Sequence, residues 1–263
     1  MIIRTARPED DIALRRLWME AFCDEEAYVN FFMQHKRDRA LTPILAEGEE
    51  VLGMIHLLPC TVLPQRPAFY WYAVAIRKDA RGRGLFRFLL TAVLEKTKAA
   101  GYTNLCVPAA GLAPVYQKYG FPYEYRAADE RLVSDGAPSS KVEITEATPA
   151  DFLAIPQRDG DVSWSEEAVA YALSENALCG GKNLLLTLDG VRHPAMLRKT
   201  EEGFRLDETT LRRADAERVK NSLLHYLGEG ELILRDYERD DAVVALSDMP
   251  IPSRNARISF TMP

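Results

Sequence analysis

Apolar positions along this chain recur with two periods, and the switches between them set an order of elements. Ile2-Ile3-Arg4-Thr5-Ala6 reads as a first strand. Pro8-Glu9-Asp10-Asp11 then supplies turn and acidic first-turn residues for a helix running to about Phe22. Ile12, Leu14, Leu17, Trp18, Ala21 and Phe22 fall mostly three to four apart and form its apolar face. A second helix is predicted from Glu25 to His35. Three strands follow, Thr42 to Ala46, Val51 to Leu63 and Ala68 to Ile76. Glu47-Gly48-Glu49-Glu50 makes the first hairpin turn and Pro64-Gln65-Arg66-Pro67 breaks the second. Leu85, Phe88, Leu89, Ala92 and Val93 return to helical spacing as far as about Ala100, where Gly101 ends the helix. Thr103 to Val107 is a short apolar strand, and Pro114 to Tyr119 a short helix before Gly120-Phe121.

Ser134 to Lys141 is a linker by composition, and after it the order restarts. Val142 to Thr145 is strand-like, and Thr148-Pro149-Ala150-Asp151 opens a helix. Ser163-Trp164-Ser165-Glu166 opens another, with a serine cap and acidic first-turn residues. Leu184 to Leu188, Ala195 to Lys199 and Phe204 to Glu208 read as three strands. Arg213 to Leu227 is helical, and Glu231 to Leu234 and Val243 to Leu246 are further strands. The expectation is two halves of similar topology, residues 1–133 and 142–263, joined by 134–141.

Bulk properties narrow the class. The chain has 263 residues, 47% hydrophobic and 27% charged. At ~100–200 residues per domain, that suits one large domain or two modest ones. No run of eighteen apolar residues suggests a membrane span. The start goes directly into strand-like sequence without a secretory leader's apolar stretch, so a cytoplasmic location is expected. Four cysteines (Cys23, Cys60, Cys106, Cys179) and four histidines (His35, His56, His193, His225) are scattered singly, and neither a metal site nor a disulfide framework is predicted. A net charge of −6 argues against a nucleic-acid partner and mildly favours cationic acceptors. Nothing indicates an oligomeric state.

One segment carries chemistry. Trp71-Tyr72-Ala73-Val74-Ala75-Ile76 ends a strand, and Arg81-Gly82-Arg83-Gly84-Leu85-Phe86 opens the next helix. Free backbone N–H groups at a helix N-terminus, backed by the helix dipole, make an anion site suited to a pyrophosphate. Glycines at 82 and 84 let the backbone approach phosphate oxygens, and Arg81 and Arg83 add charge in a form that donates paired hydrogen bonds. A plain surface turn explains the loop alone equally well. A dinucleotide loop would need glycine where Arg87 stands, and a triphosphate loop would need a Gly-Lys-Ser/Thr ending.

Arg81-Gly82-Arg83-Gly84, after Val74-Ala75-Ile76, resembles the acetyl-CoA signature Gln/Arg-x-x-Gly-x-Gly/Ala of the GCN5-related N-acetyltransferases. Arg81 and Gly84 match, while the last position is Phe86 rather than Gly or Ala. A second stretch, Ala113-Pro114-Val115-Tyr116-Gln117-Lys118-Tyr119-Gly120-Phe121, resembles the family's Ala-x-x-x-Tyr-x-Lys-x-Gly-Phe. The whole chain is like the tandem members, such as the enhanced-intracellular-survival type, although it lacks the length for that type's third domain. The resemblance implies a mixed α/β fold: two halves, each a mostly antiparallel mixed sheet flanked by helices, the first splayed between its fourth and fifth strands. The second half has no matching loop. Thr209-Thr210-Leu211-Arg212-Arg213 stands where one would lie, so that half is expected to be a degenerate copy that walls the acceptor pocket, with one acetyl-CoA per chain.

The resemblance also implies direct acetyl transfer to a small-molecule or peptide amine in a ternary complex. Val74, Ala75 and Ile76 would hold the pantetheine arm, and Arg81, Gly82, Arg83, Gly84, Leu85 and Phe86 the pyrophosphate. Tyr116 matches the family's general acid, while the family's frequent asparagine seven residues earlier is Ala109 here. The base stays open among Glu47, His56, Tyr70, Tyr72 and the Pro263 carboxylate. An acetyl-CoA-binding regulator without catalysis is the alternative; transfer of a larger acyl or aminoacyl group is a third.

Overall fold

The computed structural model describes residues 1–109, 111–139, 141–253 and 255–260. Its first part runs β1 (Ile2–Thr5), α1 (Asp11–Phe22), α2 (Glu26–His35), β2 (Pro43–Glu47), β3 (Glu50–Val62), β4 (Arg66–Ile76), α3 (Leu85–Ala99), β5 (Thr103–Cys106), α4 (Ala113–Lys118) and β6 (Tyr123–Val133). The second continues with β7 (Val142–Glu146), α5 (Pro149–Leu153), β8 (Val162–Ser163), α6 (Glu166–Leu178), β9 (Lys182–Leu188), β10 (Val191–Thr200), β11 (Gly203–Thr209), α7 (Arg213–Leu227), β12 (Glu231–Asp236) and β13 (Ala242–Ser247). Ser165 accepts from Ala168 N–H at 3.2 Å to start α6, and Gly228, with φ of 71°, closes α7 in the left-handed region.

The strands hydrogen-bond in the order β1-β2-β3-β4-β5-β13-β6-β12-β11-β10-β9-β7, with β8 paired to β3. Pairing is antiparallel except at β4–β5 and β11–β12. This is the expected mixed α/β architecture, a largely antiparallel sheet flanked by helices. Two strands were not anticipated: the two-residue β8, and β6, an 11-residue strand whose first part pairs with β13 and whose second part pairs with β12. The last strand also departs from a simple restart. Read along the chain, β13 belongs to the second half, yet it pairs with β5 through Leu246↔Cys106 and Ser247↔Leu105, inside the first half's sheet.

Three apolar clusters hold the layers. α3 and α4 pack Leu85, Leu89, Leu90, Val93 and Tyr116 on one face of the first sheet. α7 covers the second sheet with Val219, Leu223 and Leu224. The third lies between the halves: Leu14, Trp18, Val29 and Phe32 of α1 and α2 share a core with Tyr70 and Tyr72 of β4 and with Val169, Tyr171 and Ala172 of α6. Among the described residues no helix is long and apolar enough to cross a membrane.

Candidate active site

β4 and β5 pair in parallel from Ala68↔Thr103 to Trp71↔Cys106, and there the pairing stops. Two features fix the stopping point. The Trp71 indole donates to Asn104 Oδ1 at 2.8 Å, and Asp248 accepts from Asn104 N at 2.7 Å and from its Nδ2 at 2.8 Å, which pins β5 from behind. Two residues further, Ala73 has φ of 48°, and the register on β3 jumps from His56↔Tyr72 to Met54↔Ala75. That β-bulge inserts one residue and reverses the alternation. Tyr70, Tyr72 and Ala75 therefore face the α1–α2 side, while Val74 and Ile76 face α3. The strands open into a cavity of about 220 Å³ lined by Trp18, Asp24, Tyr70, Tyr72, Val74 and Tyr116, among others.

Arg81, Gly82, Arg83 and Gly84 are exposed at the foot of α3. Gly82 and Gly84 have φ of 78° and 76°, a region that costs an L side chain energy, and a Cβ on either would meet nothing within 4 Å. The loop is thus open to a ligand on the side where the helix's first N–H groups lack intrahelical partners. The Arg81 Nε donates to Ile76 O at 3.0 Å, so this side chain braces the loop against the end of β4. Arg83 sits 3.5 Å from Glu47, an exposed pair in which the arginine keeps most of its freedom. Leu85 is buried beneath the helix, and the Phe86 ring meets Tyr116 edge-on at 5.6 Å. The departure at 86 thus fills space beside the tyrosine.

Tyr116 is buried between Phe86 and Phe121, and burial raises its pKa above that of a free phenol. At neutral pH it is a proton donor, facing the same cavity as Val74. Of the base candidates, Glu47 lies at the β2–β3 turn beside Arg83, away from the cavity. His56 is buried against Trp18 and Phe32, 3.1 Å from Thr42 Oγ1, and burial pushes its pKa down to about 3, so it stays neutral as a core histidine. Tyr70 and Tyr72 line the cavity, both held protonated by burial. Pro263 lies outside the described residues.

The sequence reading missed what stands behind Tyr72. Its hydroxyl hydrogen-bonds with Tyr28 of α2, and Tyr28 Oη donates to Glu175 Oε1 of α6 at 2.8 Å. Tyr171 Oη reaches the same oxygen at 3.4 Å. The signal was present: Glu175 falls seven residues after Ala168, four after Tyr171 and three after Ala172, an acid in the apolar stripe of α6. A second cavity of about 440 Å³, lined by Asp24, Glu25, Ala27, Tyr28, Leu178 and Cys179, shares Asp24 with the first.

The model of the acetyltransferase (GNAT) family matches residues 11–121, a span that contains the cavity, the glycine loop and Tyr116. Residues 11–121 carry the pattern of the GNAT family. The chain resembles, over its length, a solved GNAT from Anabaena variabilis ATCC 29413, at 14% identity and TM-score 0.68, covering 96% of this chain and 70% of that one. Eis1 from Mycobacterium abscessus gives 13% identity and TM-score 0.62 over 89% of this chain and 65% of its own. A tandem GNAT protein from the clavulanic acid biosynthesis pathway gives 14% and 0.54, over 95% of this chain and 98% of its own. At these identities the likeness is one of fold. No curated protein matches the chain in sequence.

The second half of the chain has its own parallel pair. β11 and β12 pair only at Arg205↔Ile233 and Leu206↔Leu234, then separate around a cavity of about 540 Å³. No glycine stands in the loop there, and Asp207, Asp236 and Glu238 sit among the arginines that line it, Glu238 pairing with Arg158 at 2.6 Å. Among the described residues no group of three or more His, Cys, Asp or Glu side chains is placed to hold a metal.

Proposed function

We propose that the chain is an N-acetyltransferase that moves the acetyl group of acetyl-CoA directly to an amine. The active site is assigned to residues 1–133, with 134–141 as linker and 142–263 as a degenerate GNAT-like half that walls the acceptor side. The observation that carries this reading is the bulged opening of β4, which leads at one end to the glycine loop and at the other to Tyr116. The open strand edge at Val74, Ala75 and Ile76 suits the amide groups of the pantetheine arm, and the loop from Arg81 to Phe86 suits the pyrophosphate. A single such loop supports one acetyl-CoA per chain.

The attacking amine must arrive without its proton. Its nitrogen then bonds to the thioester carbonyl carbon, the C–S bond breaks, and the sulfur keeps the electron pair. A thiolate leaves more readily with a donor beside it, since thiols ionise near pH 8.5, and Tyr116 is a buried phenol that holds its proton at neutral pH. Asp24 and Glu25, which line the neighbouring cavity, favour a small-molecule or peptide amine that arrives as a cation.

Release of free thiol from acetyl-CoA, followed on a panel of primary amines, tests this. The Tyr116→Phe variant is expected to lose about 100-fold in kcat, the usual worth of a positioned proton donor, with the KM for acetyl-CoA within twofold. A protein that binds acetyl-CoA yet turns over with no amine would be a regulator instead.

A further inference from the structure

Behind Tyr72 of the cavity wall, and reached through Tyr28, lies a carboxylate with no part in the transfer step described so far. Glu175 is wholly buried. Its Oε1 takes the hydroxyl protons of Tyr28 and Tyr171, while Oε2 has no hydrogen-bond partner. An isolated buried carboxylate is costly, and a helix can bind its neighbours through apolar contacts without one. The two phenols also give the chain of hydroxyls a direction. Tyr28 has one hydroxyl proton and gives it to Glu175, so in the Tyr28–Tyr72 contact Tyr72 is the donor. Tyr72 lies on the bulged stretch of β4 and lines the same cavity as Val74 and Tyr116. An ordered run of hydrogen bonds thus leads from the cavity wall through Tyr72 and Tyr28 to an acid in the other half of the chain.

We propose that Glu175, acting through Tyr28 and Tyr72, receives the proton that the acceptor ammonium must lose, so that the second half of the chain supplies the base for the first half's reaction. The inference rests on the acetyl-transfer reading. In the step, the ammonium N–H bond breaks and its proton passes to Tyr72 Oη. The Tyr72 proton moves to Tyr28 Oη, and the Tyr28 proton to Glu175 Oε1. Each phenol ends neutral, the nitrogen keeps its electron pair for attack, and the carboxylate becomes a carboxylic acid. Glu175 does not touch the acceptor; it is a positioning residue that orders the phenols and stores the proton.

The surroundings suit that part. Tyr28 and Lys36 face Glu175 from α2 and the residues after it, Tyr70 and Tyr72 from β4, Tyr171 and Cys179 from α6 and its end, and Arg198 from β10. Burial raises the Glu175 pKa above the usual carboxylate range, while Arg198, the two phenol hydrogen bonds and Lys36 pull it partly back. Arg198 is itself paired with Asp207 at 3.0 Å, and Lys36 lies over the Trp164 and Tyr171 rings at 5.8 and 5.7 Å. A raised acid is a better match for an ammonium proton than a free carboxylate.

Glu175→Gln keeps the size and an oxygen for the phenols but takes up no proton, and Tyr28→Phe cuts the chain while keeping the carboxylate, which loses the Tyr28 hydrogen bond and retains that of Tyr171. With an amine that the wild type acetylates, each variant should lose about 100-fold in kcat and keep the KM for acetyl-CoA within twofold. Because the carboxylate is the working form, wild-type kcat falls as pH drops through the Glu175 pKa. In Glu175→Gln that acidic limb disappears. Folding of the variants is checked by thermal melting, and if Glu175→Gln does not fold, Tyr28→Phe decides on the kcat loss alone. Retention of kcat within threefold in a folded variant, or an acidic limb unchanged in Glu175→Gln, overturns the proposal while leaving acetyl transfer intact. A wild type that acetylates no amine overturns both.

Discussion

Gly84 shows how much of the site rests on single positions. It ends the loop and stands just before the first turn of α3 with φ of 76°, where an L side chain costs about 1–2 kcal/mol. An alanine there meets no atom within 4 Å, so its effect on folding should come from backbone strain alone. Its Cβ would, however, stand where a phosphate oxygen is assigned. Gly84→Ala is therefore expected to lower stability by about 1–2 kcal/mol and to weaken acetyl-CoA binding by tenfold or more, measured by denaturant melts and calorimetry. A folded Gly84→Ala protein with unchanged affinity would remove the pyrophosphate from this loop. Tyr116 and Phe86 make the same point for packing: a position that departs from the family signature fills the space beside the candidate acid with an edge-on ring.

At the scale of elements, β11 carries a further buried acid with a consequence for stability. Glu208 is buried, accepts from Phe260 N–H at 2.7 Å, and burial raises its pKa from 4.5 to about 7. A raised acid holds its proton more tightly folded than unfolded, so its contribution is fully present below about pH 4.5 and is lost as pH rises through about 7. At 1.36 kcal/mol per pKa unit the loss is at most about 3 kcal/mol. Wild-type Tm should thus fall more between pH 5 and pH 8 than that of Glu208→Gln, whose amide oxygen still accepts the Phe260 N–H. Parallel Tm curves would place the proton elsewhere. Elements with strong periodicity, such as α1, α3 and α7, were legible in the sequence because one apolar face meets one core. β6 was not legible, because Glu124, Arg126, Asp129, Glu130 and Arg131 crowd a strand whose buried set is Tyr125, Ala127, Ala128 and Leu132. Those charges find partners on neighbouring segments, Arg131 with Glu231 at 2.6 Å and Asp129 with Arg235 at 2.8 Å. The glycine loop and Tyr116 were legible for a different reason, as local motifs. The Tyr72–Tyr28–Glu175 run was hidden because its members come from three elements that meet only in the fold.

Across the whole molecule, the two halves are joined by more than a linker. β13 sits between β5 and β6, so the strand bordering the candidate cavity is held on one side by a segment more than a hundred residues later. Asp248, just past β13, fixes Asn104 and through it Trp71 at the point where β4 and β5 part. The shared core adds α6 against α1, α2 and β4. A strand pairing at such separation has no trace in local periodicity, so the sequence shows a restart of the element order and not this exchange. Expressed alone, residues 1–133 would leave β5 and β6 without β13 and expose the Trp18, Phe32 and Tyr72 face, an unpaired edge beside an apolar surface that promotes association. The fragment is therefore expected to run as aggregates by size exclusion, to melt without cooperativity and to bind acetyl-CoA poorly. Co-expression with residues 142–263 should restore a compact species with wild-type affinity, because β13 and α6 return as separate pieces of the same core. A monomeric 1–133 fragment that melts cooperatively and binds acetyl-CoA like the full chain would mean that the first half needs neither.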